Sequence, residues 1–105
     1  MITSGAGKYK VFLEKKELGD DLIFILGGGE KSHIGGAVIC QPEQKPYVLT
    51  YSNHHDYIVL TPIAKVACKK YNKTVIARGG IHIDNATKEE IQTIVNNCKE
   101  LVKCI

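Results

Sequence analysis

The sequence predicts an α+β fold: a mainly antiparallel five-stranded sheet with two helices packed on one face, the elements running ββββαβα. Three observations predict it. The first half carries four β-type segments joined by short links, which suits an antiparallel arrangement. In the second half, apolar residues step by three and four in two separate stretches. A further β-type segment lies between those stretches.

Tyr9, Val11 and Leu13 alternate with Lys8, Lys10 and Glu14, with only Phe12 out of step. Period two of this kind is a half-buried strand, here near residues 8–17. Gly19, Asp20 and Asp21 mark a turn. Leu22-Ile23-Phe24-Ile25-Leu26 is apolar on both faces, as a central strand covered on both sides must be. Gly27-Gly28-Gly29 ends it, and a loop from Glu30 to Gly36 follows. Ala37 to Cys40 reads as the third strand. Pro42 and Pro46 sit in the next connection, and Tyr47 to Tyr51, β-branched and aromatic, forms the fourth strand.

The polar stretch 52–56 precedes a helix whose start the sequence leaves open. Asp56 as N-cap places Pro62 inside the helix, where it would kink it. Thr61-Pro62 as cap and first helical residue avoids that. Ile63, Val66, Ala67 and Tyr71 keep helical spacing in both cases, and Asn72 closes the helix. Thr74 to Ala77 is the fifth strand, ended by Arg78-Gly79-Gly80. Thr87 with Glu90 is a capping box. Behind it, Ile91, Ile94, Val95, Cys98, Leu101, Val102 and Ile105 form one helical stripe. Two helices cover one sheet face, which leaves the Leu22–Leu26 strand open on the other. This predicts a homodimer, the commonest closed solution, or a higher oligomer.

A chain of 105 residues fits one domain, 1–105. Its 44% hydrophobic content excludes disorder, and no apolar run reaches the length of a membrane span. The net charge of +3 comes from 14 Lys and Arg, all but Arg78 lysines scattered without a block, so nucleic acid is not an expected partner. Cys40, Cys68, Cys98 and Cys104 form no C-x-x-C pair, and Met1 to Gly5 lacks the features of an export signal. This points to free thiols and a cytoplasmic protein.

Loop residues carry function more often than core residues. His33, His54, His55 and His82 all fall in connections that follow strands, so all four are candidate binding residues. Each could equally be a solvated or capping histidine. Asp84 stands two residues beyond His82, so on an extended segment it points the same way and can orient the imidazole. Asp84 could instead help cap the last helix. A metal site could also be assembled from His33, His54 or His55, His82 and Asp84, although no H-E-x-x-H spacing is present. Gly27-Gly28-Gly29 could converge backbone N–H groups on a phosphate, with Arg78 as a bidentate partner. Tight turns and a surface arginine explain those residues as well. No Ser/His/Asp arrangement is present, and nothing in the chain demands an enzyme.

Gly19-Asp20-Asp21-Leu22 through Gly27-Gly28-Gly29-Glu30, His33-Ile34-Gly35-Gly36-Ala37-Val38, and above all Gly80-Ile81-His82-Ile83-Asp84-Asn85-Ala86-Thr87-Lys88-Glu89-Glu90-Ile91 resemble the LpdD-like family. These are the D subunits that accompany UbiD-type decarboxylases of phenolic acids. The His54-His55-Asp56 region is similar to the family's histidine-containing loop. The resemblance covers nearly the whole chain. It implies a non-catalytic accessory protein that binds prenylated FMN, or FMN, and delivers it to or protects it for a UbiD-type decarboxylase. A UbiX-type prenyltransferase makes the cofactor. The residues that would bind it are Gly27, Gly28, Gly29 and Arg78 at the phosphate, and His33, His82 and Asp84 at the ring, with His54 and His55 nearby. Two alternatives remain. One is a metal-dependent enzyme using His33, His82 and Asp84. The other is a ligand-free assembly subunit of a decarboxylase.

Overall fold

The computed structural model describes residues 1–51 and 53–105; Ser52, first of the polar stretch before the helix, lies outside the described residues. The strands are β1 (Ile2–Ser4), β2 (Val11–Leu18), β3 (Asp21–Gly28), β4 (Lys31–Cys40), β5 (Tyr47–Thr50) and β6 (Val75–His82). Two helices, α1 (Tyr57–Tyr71) and α2 (Lys88–Lys103), flank β6 in sequence. The class is α+β as predicted.

The sheet departs from prediction in strand number and order. It has six strands in the order β1-β2-β3-β6-β4-β5, because Ile2–Ser4 adds an edge strand. It is also mixed, since β6 runs parallel to β3 and antiparallel to β4. The expected four-strand meander is therefore broken, with β6 inserted between β3 and β4. β3 is a central strand, as its two-sided apolar run predicts, with β2 and β6 as its hydrogen-bonded neighbours. The short link after β3 crosses the end of β6, where Glu30 N donates to the His82 carbonyl at 2.9 Å. Closeness in sequence does not distinguish this crossing from a hairpin.

Both helices pack on one face. Val11 and Leu13 of β2, Phe24 and Leu26 of β3, Val38 of β4 and Val75 and Ala77 of β6 form one buried cluster. From α1 it takes Leu60, Ile63, Ala64 and Ala67, and from α2 Cys98 and Leu101. Cys40, Cys68 and Cys98 belong to the same cluster as small core hydrophobes, and all four cysteines are free. Burial pushes the Cys98 thiol up to about 12, with the nearby Asp56 charge adding to the shift. Such a thiol is inert at neutral pH. Among the described residues no helix is long and apolar enough to cross a membrane.

The start of α1 resolves in favour of Asp56, and Pro62 lies inside the helix. The Thr61 hydroxyl donates to the Tyr57 carbonyl at 2.6 Å one turn back. Asp56 occupies the cap position without a side-chain capping bond. Asn72 closes the helix in the left-handed region, with φ 53°.

The capping box of α2 forms as the sequence predicts. Glu90 N donates to Thr87 Oγ1 at 3.1 Å, and Thr87 N donates to Glu90 Oε1 at 3.0 Å. Glu90 also ties the helix to the chain start: Tyr9 donates its hydroxyl proton to Oε2 at 2.9 Å, and Lys8 Nζ stands 2.8 Å from the same oxygen. Hydrogen bonds from Lys8, from the Thr87 backbone and from Tyr9 hold the Glu90 carboxyl down from 4.5 to about 2. A depressed carboxyl contributes stability that is complete above its ordinary pKa and lost as pH falls through the folded one. Acidification from pH 4.5 toward 2 should therefore weaken the fold. Glu90→Gln keeps an acceptor for the cap but cannot ionise. Denaturant titrations across that window should give it a flatter stability curve than the wild type. Equal slopes would exclude Glu90 as the source.

Candidate functional site

A local irregularity places the site. Pairing of β4 with β6 runs Lys31↔His82 and Ser32↔Ile81, then resumes at Gly36↔Gly79. Residues 33–35 thus stand opposite Gly80 alone. A bulge of this kind re-aims a side chain. Here it turns His33 toward the start of α1, where His33 Nε2 lies 3.2 Å from Asp56 Oδ2. The other Asp56 oxygen accepts the Ile81 N–H at 3.0 Å. Both carboxylate oxygens are engaged, one with β4 and one with β6, and neither caps the helix that Asp56 begins.

Room for this pair comes from two glycines. A methyl group at Gly35 would collide with the Asp56 carboxylate, and one at Gly80 would meet the His33 ring and Asp56. The Gly35-Gly36 and Gly79-Gly80 pairs therefore serve close packing. Gly79 also needs φ of 123°, which favours glycine.

Beside this pair a cleft of about 420 Å³ opens between the end of β6, the segment before α1 and the first half of α2. That size lies within the roughly 300–1,000 Å³ of small-molecule sites. Its apolar walls include Val59, Ile81, Ile83, Ile94 and Val95, and His33, His54, His55 and His82 also line it. The His33 ring centroid is 5.1 Å from that of His54 and 6.0 Å from that of His82. Tyr51 meets His54 edge-on at 6.0 Å. His82 Nε2 lies 2.8 Å from Asp84 Oδ1, the contact expected from their spacing. A carboxylate only accepts, so Nε2 of His33 donates to Asp56 and Nε2 of His82 donates to Asp84.

The sequence analysis put His33 and His82 in loops. The structure puts them in β4 and at the last residue of β6. The antiparallel pairing of β4 with β6 brings the two to the same end of the sheet.

Arg78 and Gly27–Gly29 do not join the cleft. Arg78 is exposed, one residue from the buried Ala77 that faces the helices, so alternation sends its side chain to the opposite face. The N–H groups at the end of β3 do not converge on an open position: Gly28 N donates to Ser32 Oγ at 2.9 Å and Gly29 N to the Lys10 carbonyl at 3.0 Å. The metal set does not assemble either. Among the described residues no three His, Cys, Asp or Glu side chains come together as ligands.

Sequence reasoning missed Asp56 and the apolar walls. Asp56 read as a capping residue because helix starts favour aspartate. Its place directly after His54-His55 was the available signal.

The cleft thus combines apolar walls with four histidines, two of which, His33 and His82, are held by carboxylates. The chain belongs to the prenylated flavin chaperone LpdD-like family, whose model matches residues 5–105. As a member of a chaperone family, it is non-catalytic. No curated protein matches it. Among solved structures it is similar to a chain of a chaperone complex for yeast 20S proteasome assembly. The TM-score is 0.56 at 10% identity, over 98% of this chain and 94% of that one. At that identity the likeness is one of fold.

Two substitutions test the geometry. Gly80→Ala overpacks the His33–Asp56 pair and should cost roughly 1–3 kcal/mol of stability in denaturant unfolding. Asp56→Asn offers an N–H where the carboxylate accepted, so the His33 proton should move to Nδ1. Nitrogen-15 shifts of the ring read this directly, and an unchanged tautomer would contradict the contact.

Proposed function

We propose that the cleft holds the ring system of prenylated FMN, leaves its phosphate tail outside, and so presents the cofactor to a UbiD-type decarboxylase. The observation that carries the reading is the apolar cleft lined by four histidines, in a member of a prenylated flavin chaperone family. Apolar walls suit the prenyl-extended ring, whose transfer from water favours burial. Imidazoles held in one tautomer suit the polar edge of a flavin, and His33, His54, His55, His82 and Asp84 are the residues assigned to it.

The lining does not suit a phosphate. No lysine or arginine belongs to it, and Asp56 does. Next in sequence to the lining Ile83, Asp84 N donates to Glu30 Oε1 at 2.8 Å, which adds two more carboxylates to this end of β6. A tail left free would be the handle that a receiving enzyme takes first, which suits transfer better than storage. The cofactor would come from a UbiX-type prenyltransferase, and the free cysteines fit a cytoplasmic setting. The metal-enzyme alternative has no specific observation in its favour.

Titration of flavin fluorescence with the protein tests this. FMN and riboflavin should bind within about threefold of each other, and prenylated FMN more tightly, since each buried CH₂ is worth about 0.8 kcal/mol. His82→Ala should weaken all three. FMN binding tenfold tighter than riboflavin would show that the phosphate is gripped. No binding by any of them would remove the flavin from this cleft.

A further inference from the structure

The sheet face opposite the helices carries the second half of each strand's alternation. Ile23 and Ile25 of β3, Ile39 of β4 and Ile76 of β6 lie on it, each only partly buried. The pairing registers give one row across it: Glu14, Ile25, Arg78, Ala37, Leu49. Arg78 is the only arginine of the chain, and it stands exposed near the middle of this apolar face. Glu14 lies in the same row on the other side of Ile25. Adjacent strands are about 4.8 Å apart, so the two charges flank Ile25 at equal distances.

We propose that a second copy of the chain covers this face, related by a two-fold axis that runs along β3 at Ile25. Rotation about that axis keeps position along the strand and exchanges left for right. Glu14 of one copy then lies over Arg78 of the other, twice, while Ile23 and Ile25 pack against their counterparts. An isologous interface must be self-complementary, and a guanidinium and a carboxylate equidistant from one strand are. The two sheets stack about 10 Å apart with strands aligned to within about 30°. In the single chain, Glu14 pairs with the exposed Lys16 of its own strand, at 3.2 Å. Pairing with Arg78 replaces that contact with one that can be bidentate and shielded from water. The helices and the histidine cleft remain outside the interface.

The mass of the full chain by light scattering and sedimentation equilibrium at micromolar concentration tests this, with circular dichroism to confirm the fold. The wild type should be a dimer. Arg78→Glu sets like charges against each other and should raise the dimer dissociation constant by roughly 100-fold or more. The exchange Glu14→Arg with Arg78→Glu restores the pairing and should bring the constant back to within tenfold of wild type. A monomeric wild type would overturn the proposal. So would a folded Arg78→Glu that dimerises as well as wild type, or a folded exchange variant that stays monomeric.

Discussion

The Asp56 carboxylate bridges three elements that have no covalent reason to meet. It stands at the start of α1, 3.2 Å from an imidazole on β4, and accepts an N–H from β6 at 3.0 Å. β4 and β6 are neighbours there only through a slipped register, and the carboxylate fills the gap that the slip opens. A cap aspartate normally spends its oxygens on its own helix. This one gives that up, and the helix compensates by packing Leu60, Ile63 and Ala64 into the core. His33, Asp56 and Ile81, joined through this one carboxylate, all line the cleft.

The two sheet faces divide the labour. On the covered face, alternation supplies the residues that hold the helices, and the helices in turn wall the cleft. On the open face, the same alternation leaves isoleucines with a single arginine among them. Arg78 draws attention in the sequence as a phosphate ligand because it is unique and stands beside glycines. Its partners in the sheet, Ile25 and Ala37, give it a different setting. A one-residue step along β6 separates the side chains that build the core from the one that cannot reach the cleft.

A binding cleft without a cationic lining fits a protein that holds its ligand only temporarily. Charge-assisted contacts to phosphate are among the stronger ones a protein makes, and they are directional. Apolar walls and imidazoles would hold a ring with less specificity at its tail. In that sense the chemistry of the cleft agrees with the chaperone family to which the chain belongs.

Much of the local structure was set by the sequence alone, because its causes are local. Thr87 and Glu90 fix the start of α2 through their own backbone, and the stripe from Ile91 to Leu101 fixes which side of it is buried. The two-sided apolar run Leu22–Leu26 fixes a central strand. The histidines stand out by type, and the spacing of His82 and Asp84 delivers their contact. The tertiary structure decided what depends on long-range pairing. That β6 enters between β3 and β4, that the register slips at His33, that Asp56 serves two strands and that Arg78 faces away from the cleft all depend on partners some 20 to 50 residues distant in the chain. A period-two pattern specifies that a strand has two faces. Which strand lies beside it, and hence which side chains share a face, is decided only when the sheet closes around its core.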